Sequence, residues 1–173
     1  MRIWEGDALS SREAVSSLVV AVYPPEVLAS VPWRNVVTAP ATHRIIIYKG
    51  SNAVCAAAYQ FRSVNLNGMP TMLAGIGGVM THPNFRRNGF GSAVMQAAQD
   101  ALDRDGNAEF GLLFCEPKNA AFYEKLGWNL FRGTVLADQP NGTIRYDALD
   151  AMVFPFASAS PQSGFLDLRG PPW

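Results

Sequence analysis

Residues 71–92 read TMLAGIGGVMTHPNFRRNGFGS. The first half reads as a strand. Thr71 to Thr81 follows the turn Asn65-Leu66-Asn67-Gly68, whose Asn-Gly pair suits a hairpin. Within the strand, Gly75, Gly77 and Gly78 mark a bulge or the close approach of another backbone or ligand. Pro83 ends it. From Gly89 to Leu102 the residues Phe90, Ala93, Val94, Ala97, Ala98 and Ala101 recur at helical spacing. A strand thus passes into a helix through a turn bearing two arginines and two glycines.

Working upstream, His43 to Tyr48 is a strand. Its three consecutive isoleucines suit a sheet covered on both faces. Lys49-Gly50-Ser51-Asn52 is a tight turn, and Ala53 to Val64 returns as the partner strand. Ile3 to Glu5 forms a short opening strand. Ser10 or Ser11 caps a helix running to Tyr23, which Pro24-Pro25 stops. Downstream, Glu109 to Cys115 is a buried strand and Asn119 to Leu126 a short helix closed by Gly127. Trp128 to Leu136 and Arg145 to Phe156 read as strands. The order is an α+β domain of three layers, with a mixed, mostly antiparallel central sheet flanked by helices, antiparallel first and partly parallel later. No repeat or boundary divides it, so residues 1–173 are expected to be one domain, with 157–173 a tail that packs back.

The chain has 173 residues, 49% of them hydrophobic and 16% charged, enough for a sizeable core. Lys+Arg and Asp+Glu both number 14. That balance offers no basic excess for nucleic acid, and any anion site must be local. Cys55 and Cys115 each lie in an apolar run, which suits buried free thiols rather than a zinc site or a disulfide framework. No metal is expected. The first residues lack the apolar core of a signal peptide, and no apolar stretch approaches a bilayer span. The expectation is a cytoplasmic protein without membrane partners.

The turn Arg86-Arg87-Asn88-Gly89-Phe90-Gly91-Ser92 carries the chemistry. Amides at a helix start are unpaired and sit at the positive end of its dipole. Glycines let an anion approach the main chain, and arginines add forked donors. That is the chemistry of a diphosphate site. A P-loop would need Gly-Lys-Ser/Thr, which is absent, and a dinucleotide fingerprint would need glycine where Val94 stands. The plain alternative is that Gly89 and Gly91 only shape a turn.

A second segment adds weight. Arg86-x-x-Gly89-x-Gly91, after a strand ending Val79-Met80-Thr81, resembles the pyrophosphate-binding motif of the GCN5-related N-acetyltransferase (GNAT) superfamily. Asn119-Ala120-Ala121-Phe122-Tyr123-Glu124-Lys125-Leu126-Gly127-Trp128 is similar to that family's second acyl-CoA motif. Together they cover about a third of the chain. The resemblance implies a GNAT fold and acetyl-CoA as co-substrate, with an amine as acceptor. It also implies roles. Amides of Val79, Met80 and Thr81 would meet the pantetheine arm and polarise the thioester carbonyl. Arg86, Arg87, Asn88, Gly89, Phe90, Gly91 and Ser92 would hold the pyrophosphate, and Asn119 would touch the pantetheine side. Tyr123 would protonate the departing thiolate. Homodimers are common in the family, so a homodimer is open.

The C-terminal stretch Leu166 to Trp173 resembles the tail of the aminoglycoside 2′-N-acetyltransferase branch, and nodulation-factor N-acyltransferases look similar there. This resemblance implies that the Trp173 carboxylate reaches the acceptor site as binding group or base, and that Glu26 and Asp147 bind a cationic acceptor such as an aminoglycoside or amino sugar. One departure stands out. Where many members carry a glutamate on the strand, this chain has Gly75-Ile76-Gly77-Gly78. The base is left open among the Trp173 carboxylate, Asp147, Glu116 and a water relay. A non-catalytic acyl-CoA-binding domain and a longer-chain acyltransferase are the competing expectations.

Overall fold

The computed structural model describes residues 1–173. Ten strands form one sheet: β1 (Arg2–Asp7), β2 (His43–Lys49), β3 (Asn52–Leu66), β4 (Met69–Thr81), β5 (Phe110–Cys115), β6 (Asn129–Leu130), β7 (Thr134–Gln139), β8 (Gly142–Arg145), β9 (Asp150–Pro155) and β10 (Phe165–Asp167). The helices are α1 (Ser16–Val22), α2 (Pro25–Leu28), α3 (Phe90–Asp105) and α4 (Ala120–Glu124). Along the sheet the order is β6-β9-β5-β4-β3-β10-β7-β8, and β2 and β1 extend from the other end of β3. At 15 residues β3 is long enough to share one edge between two partners: Asn52 to Tyr59 pairs with β2, Asn65 and Leu66 with β10. The pairing is antiparallel except between β4 and β5 and between β7 and β10. The mixed α+β architecture expected from the sequence is the one observed. No helix is long and apolar enough to cross a membrane.

The isoleucine run of β2 is covered on both faces. Ile45 and Ile47 pack with Val94, Met95, Ala98 and Leu102 of α3, whereas Ile46 faces the other way onto Val15 and Leu18 around α1. All three are essentially inaccessible. Burying such a side chain contributes about 1.5–3 kcal/mol. Small residues Ala56, Ala57 and Ala58 on β3 let both layers come close.

Several boundaries differ from expectation. Residues 8–15 form successive turns, and α1 starts only at Ser16. The Ser10 amide and Ser11 hydroxyl bond back to Asp7, so these serines close a turn and do not cap the helix. The expected strand from Trp128 is broken at residues 131–133, and that from Arg145 at 146–149. At the first break, the Phe131 ring and the Gly164 carbonyl crowd Gly133. At the second, Tyr146 turns inward onto Phe114, with ring centroids 4.9 Å apart.

The glycines of β4 divide between the two uses foreseen for them. Gly78 has φ +57°, and the β3 register shifts there, from Ala56↔Met80 to Ala58↔Gly77, so β4 carries one extra residue. Gly75 and Gly77 are instead approached by the tail. A Cβ built on Gly75 would overlap the Trp173 indole, and one on Gly77 would lie 3.2 Å from the Trp173 carbonyl carbon. We expect Gly75→Ala to lower stability by about 1–3 kcal/mol in denaturant unfolding. In the Trp173→Ala background the same change should cost much less; equal costs in both backgrounds would disprove the packing.

Candidate active site

Pairing between β4 and β5 runs only from Leu73↔Phe110 to Ile76↔Leu113. Beyond it both strands continue, to Thr81 and Cys115, without bonding each other. The cause is local. The bulge at Gly78 turns β4, and the parallel ladder cannot follow. The two strands open into a wedge. The His82 amide donates to the Val54 carbonyl at 2.9 Å, and Met80 pairs with Ala56. By alternation, the main-chain groups of Val79 and Thr81 face the wedge.

At the mouth of the wedge stands the start of α3. Arg87 (φ +60°) and Gly89 (φ +78°) are both left-handed. These two bends align the amides of Arg87, Asn88, Gly89, Phe90, Gly91 and Ser92, none of which has a hydrogen-bond partner. The first helical bond is from Ala93 to the Gly89 carbonyl, 2.9 Å. Consecutive free amides at the positive end of a 16-residue helix form a nest for an anion. The left-handed Arg87 holds strain of about 1–3 kcal/mol, of the kind that accumulates at binding sites. Arg86 donates from Nε to the Thr81 carbonyl at 3.2 Å, which ties the loop to the strand end. Around Gly89 the space is open, while a Cβ on Gly91 would meet the Phe122 ring at 3.4 Å, an ordinary contact.

A groove of about 900 Å³ runs from this nest to the wedge. It is lined by Val79, Met80, Thr81, Arg86, Arg87, Gly89, Phe90, Gly91, Ser92, Asn119 and Tyr123, which the sequence had singled out; Asn88 lies outside it, its side chain bonded to the Arg86 carbonyl. An elongated ligand with a diphosphate fits these residues: the amides and arginines at one end, the free edge of β4 at the other. Beyond the wedge a second cavity of about 280 Å³ is lined by Tyr23, Trp33, Phe114, Tyr146 and Trp173 among others. Tyr23, Trp33, Val79, Glu116, Asn119 and Tyr123 border both spaces.

Tyr123 therefore stands at the junction. It is 8% exposed and borders both spaces. Burial, above all, pushes its pKa well above the ordinary tyrosine value, with the nearby Cys115, Tyr23 and Cys55 adding to the effect. Cys115 also borders the second cavity, but burial pushes its thiol up to about 12, so it stays protonated and inert. Glu116 is ion-paired to Lys118 at 2.8 Å.

Trp173 lies across β4. Its indole donates to the Leu112 carbonyl at 3.4 Å, and the tail before it is fixed by Arg62 to the Pro171 carbonyl (2.6 Å) and by the Ala39 amide to the Pro172 carbonyl (2.7 Å). Glu26 and Asp147 are exposed and line neither space; the neighbour of Asp147, Tyr146, is the residue that enters the cavity. Sequence reasoning missed Tyr23, Trp33, Phe114 and Tyr146. The only signal for the first two was an aromatic beside proline in each of two loops, Tyr23-Pro24 and Pro32-Trp33. Gly89→Ala should cost about 1–2 kcal/mol in thermal unfolding, from backbone strain alone, since a methyl meets nothing there; an unchanged melting curve would argue against the left-handed conformation.

Comparison with known proteins agrees with this fold. No curated protein matches the sequence significantly. Among solved structures, the GNAT family N-acetyltransferase YhbS from Escherichia coli, in complex with CoA, aligns with TM-score 0.62 at 13% identity over 96% of this chain and 88% of that one. A GNAT family acetyltransferase from Brucella melitensis in complex with acetyl-CoA aligns with TM-score 0.58 at 13% identity, over 95% and 94%. The GCN5-related N-acetyltransferase from Kribbella flavida aligns with TM-score 0.54 at 18% identity over 75% of this chain, which spans only 33% of that longer protein. At such identities the likeness is one of fold. The family model described as the acetyltransferase (GNAT) domain matches residues 11–131, which is 121 of the 173 residues. Because that match takes in both the amide nest of α3 and the aromatic pair of α4, the chain belongs to the GNAT acetyltransferase family.

Proposed function

We propose that this protein transfers an acetyl group from acetyl-CoA to the primary amine of a small molecule, by direct attack with both substrates bound. The observation that carries the proposal is the continuous path from the six free amides at α3, along the unpaired edge of β4, to the Tyr123 hydroxyl. The amides of Arg87 to Ser92, with the Arg86 and Arg87 side chains, hold the diphosphate of the co-substrate. Val79 and Thr81 present main-chain groups to the pantetheine arm and the acyl carbonyl, where an amide can stabilise developing negative charge. Asn119 closes the pantetheine side. Holding donor and acceptor at one junction supplies much of the acceleration.

Tyr123 is the general acid. Its raised pKa keeps the phenol protonated through neutral pH, and its hydroxyl is free to donate to the departing thiolate. The candidates for the base are Glu116, which borders both spaces, a water relay and, should the chain end at Trp173, the terminal carboxylate packed on Gly77. Glu116, on the border of both spaces, assists in binding the ammonium form. Glu26 and Asp147 do not enter this scheme, since both point to solvent outside the cavity.

Calorimetry with acetyl-CoA, followed by release of free CoA on adding an amine, tests the assignment. Binding without release for any of a broad amine panel, aminoglycosides and amino sugars included, would leave a non-catalytic acyl-CoA-binding domain. Tyr123→Phe should lower kcat by about 10²–10⁴-fold with little change in acetyl-CoA affinity. Because the phenol resists ionisation, the wild-type rate should rise with pH as the amine loses its proton, and it should not turn down through about pH 10. An alkaline downturn below pH 9 that vanishes in Tyr123→Phe would contradict the raised pKa.

A further inference from the structure

The second cavity has walls of unusual composition for a site that handles amines. Six aromatic side chains line it from separate parts of the chain: Tyr23 after α1, Trp33 in the loop beyond α2, Phe114 on β5, Tyr123 on α4, Tyr146 between β8 and β9, and Trp173 in the tail. Their rings lock one another in place. Tyr23 meets Trp33 edge-on at 5.7 Å, and Phe114 touches Tyr146 at 4.9 Å and Trp173 at 5.6 Å.

The charges tell the same story. Glu116 is the single carboxylate side chain on the cavity wall, and Lys118 is ion-paired to it at 2.8 Å. The guanidinium of Arg62 lies 5.1 Å over the Trp173 ring, so a cation already backs the aromatic wall. The two acidic residues that could have widened an anionic surface, Glu26 and Asp147, are exposed elsewhere. A polyamine or aminoglycoside entering here would lose the hydration of several ammonium groups and meet at most two carboxylates, that of Glu116, already shared with Lys118, and a chain end at Trp173. At about 280 Å³ the space also lies at the lower end of small-molecule sites. A single ammonium on an apolar body meets the opposite conditions. The body covers the rings, the cation finds aromatic faces and Glu116 on the way in, and the apolar walls favour loss of its proton before attack.

Resting on the acyl-transfer reading, we propose that the acceptor is a compact primary monoamine with an aromatic or apolar body, and that this aromatic box selects it against polycationic amines.

The test is a set of calorimetric titrations of the full chain, saturated with CoA, with 2-phenylethylamine, spermidine and kanamycin. We expect 2-phenylethylamine to bind on the order of tenfold tighter than either polycation, or more. Thr38→Asp, at the exposed rim of the cavity, places a new carboxylate there without touching the packed rings and should raise spermidine affinity several-fold while leaving CoA affinity unchanged. Tyr146→Ser, which borders this cavity and not the long groove, should weaken 2-phenylethylamine and spare CoA. Spermidine or kanamycin binding as tightly as 2-phenylethylamine, or no binding of the latter, would overturn the proposal. The titrations are repeated without CoA. A chain that ignores CoA sinks the transfer reading on its own, while the amine preference is still read from the second series.

Discussion

The structure depends on a place where hydrogen bonding stops. After Ile76 and Leu113, β4 and β5 have no common ladder, although both strands continue. Unpaired main-chain groups in a protein interior are costly, so such a gap persists only where something else meets them. The bulge at Gly78 creates the divergence, and the α3 start and α4 border the opening. Everything assigned to function lies along that opening. The amide nest sits at one end, the Tyr123 hydroxyl at the middle, and the aromatic cavity at the other end.

The tail is the second constraint. β10 inserts between β3 and β7, and the chain then runs back across β4 to seat Trp173 on Gly75 and Gly77. Any larger residue at Gly75 would exclude the indole. Gly75 and Gly77 therefore make room for the indole and main chain of Trp173. Arg62 fixes the tail further, bonding the Pro171 carbonyl while lying over the indole.

Much of this was legible in the sequence. The triple isoleucine of β2 forecast a sheet covered on both faces, because side chains alternate and an apolar run has no solvent side. The glycines of β4 forecast a bulge or a close approach; Gly78 makes the first, and Gly75 and Gly77 admit the second. The turn before α3 forecast free amides, since a helix start leaves them unpaired wherever it lies. By contrast, the serines at 10 and 11 looked like a helix cap and proved to close a turn onto Asp7, where local side-chain bonding outcompeted the helix.

What the sequence determined by itself was local: which segments are strands or helices, where glycine frees the backbone, and where a helix start exposes donors. Those properties follow from residues within a few positions of each other. The tertiary structure alone decided what converges on the cavity. Tyr23, Trp33, Phe114, Tyr146 and Trp173 are separated by up to 150 positions, and Asp147 is exposed beside Tyr146, which packs inward on Phe114. Which side chain faces in at a strand break is set by the ring it can pack against, and that ring belongs to a distant part of the chain.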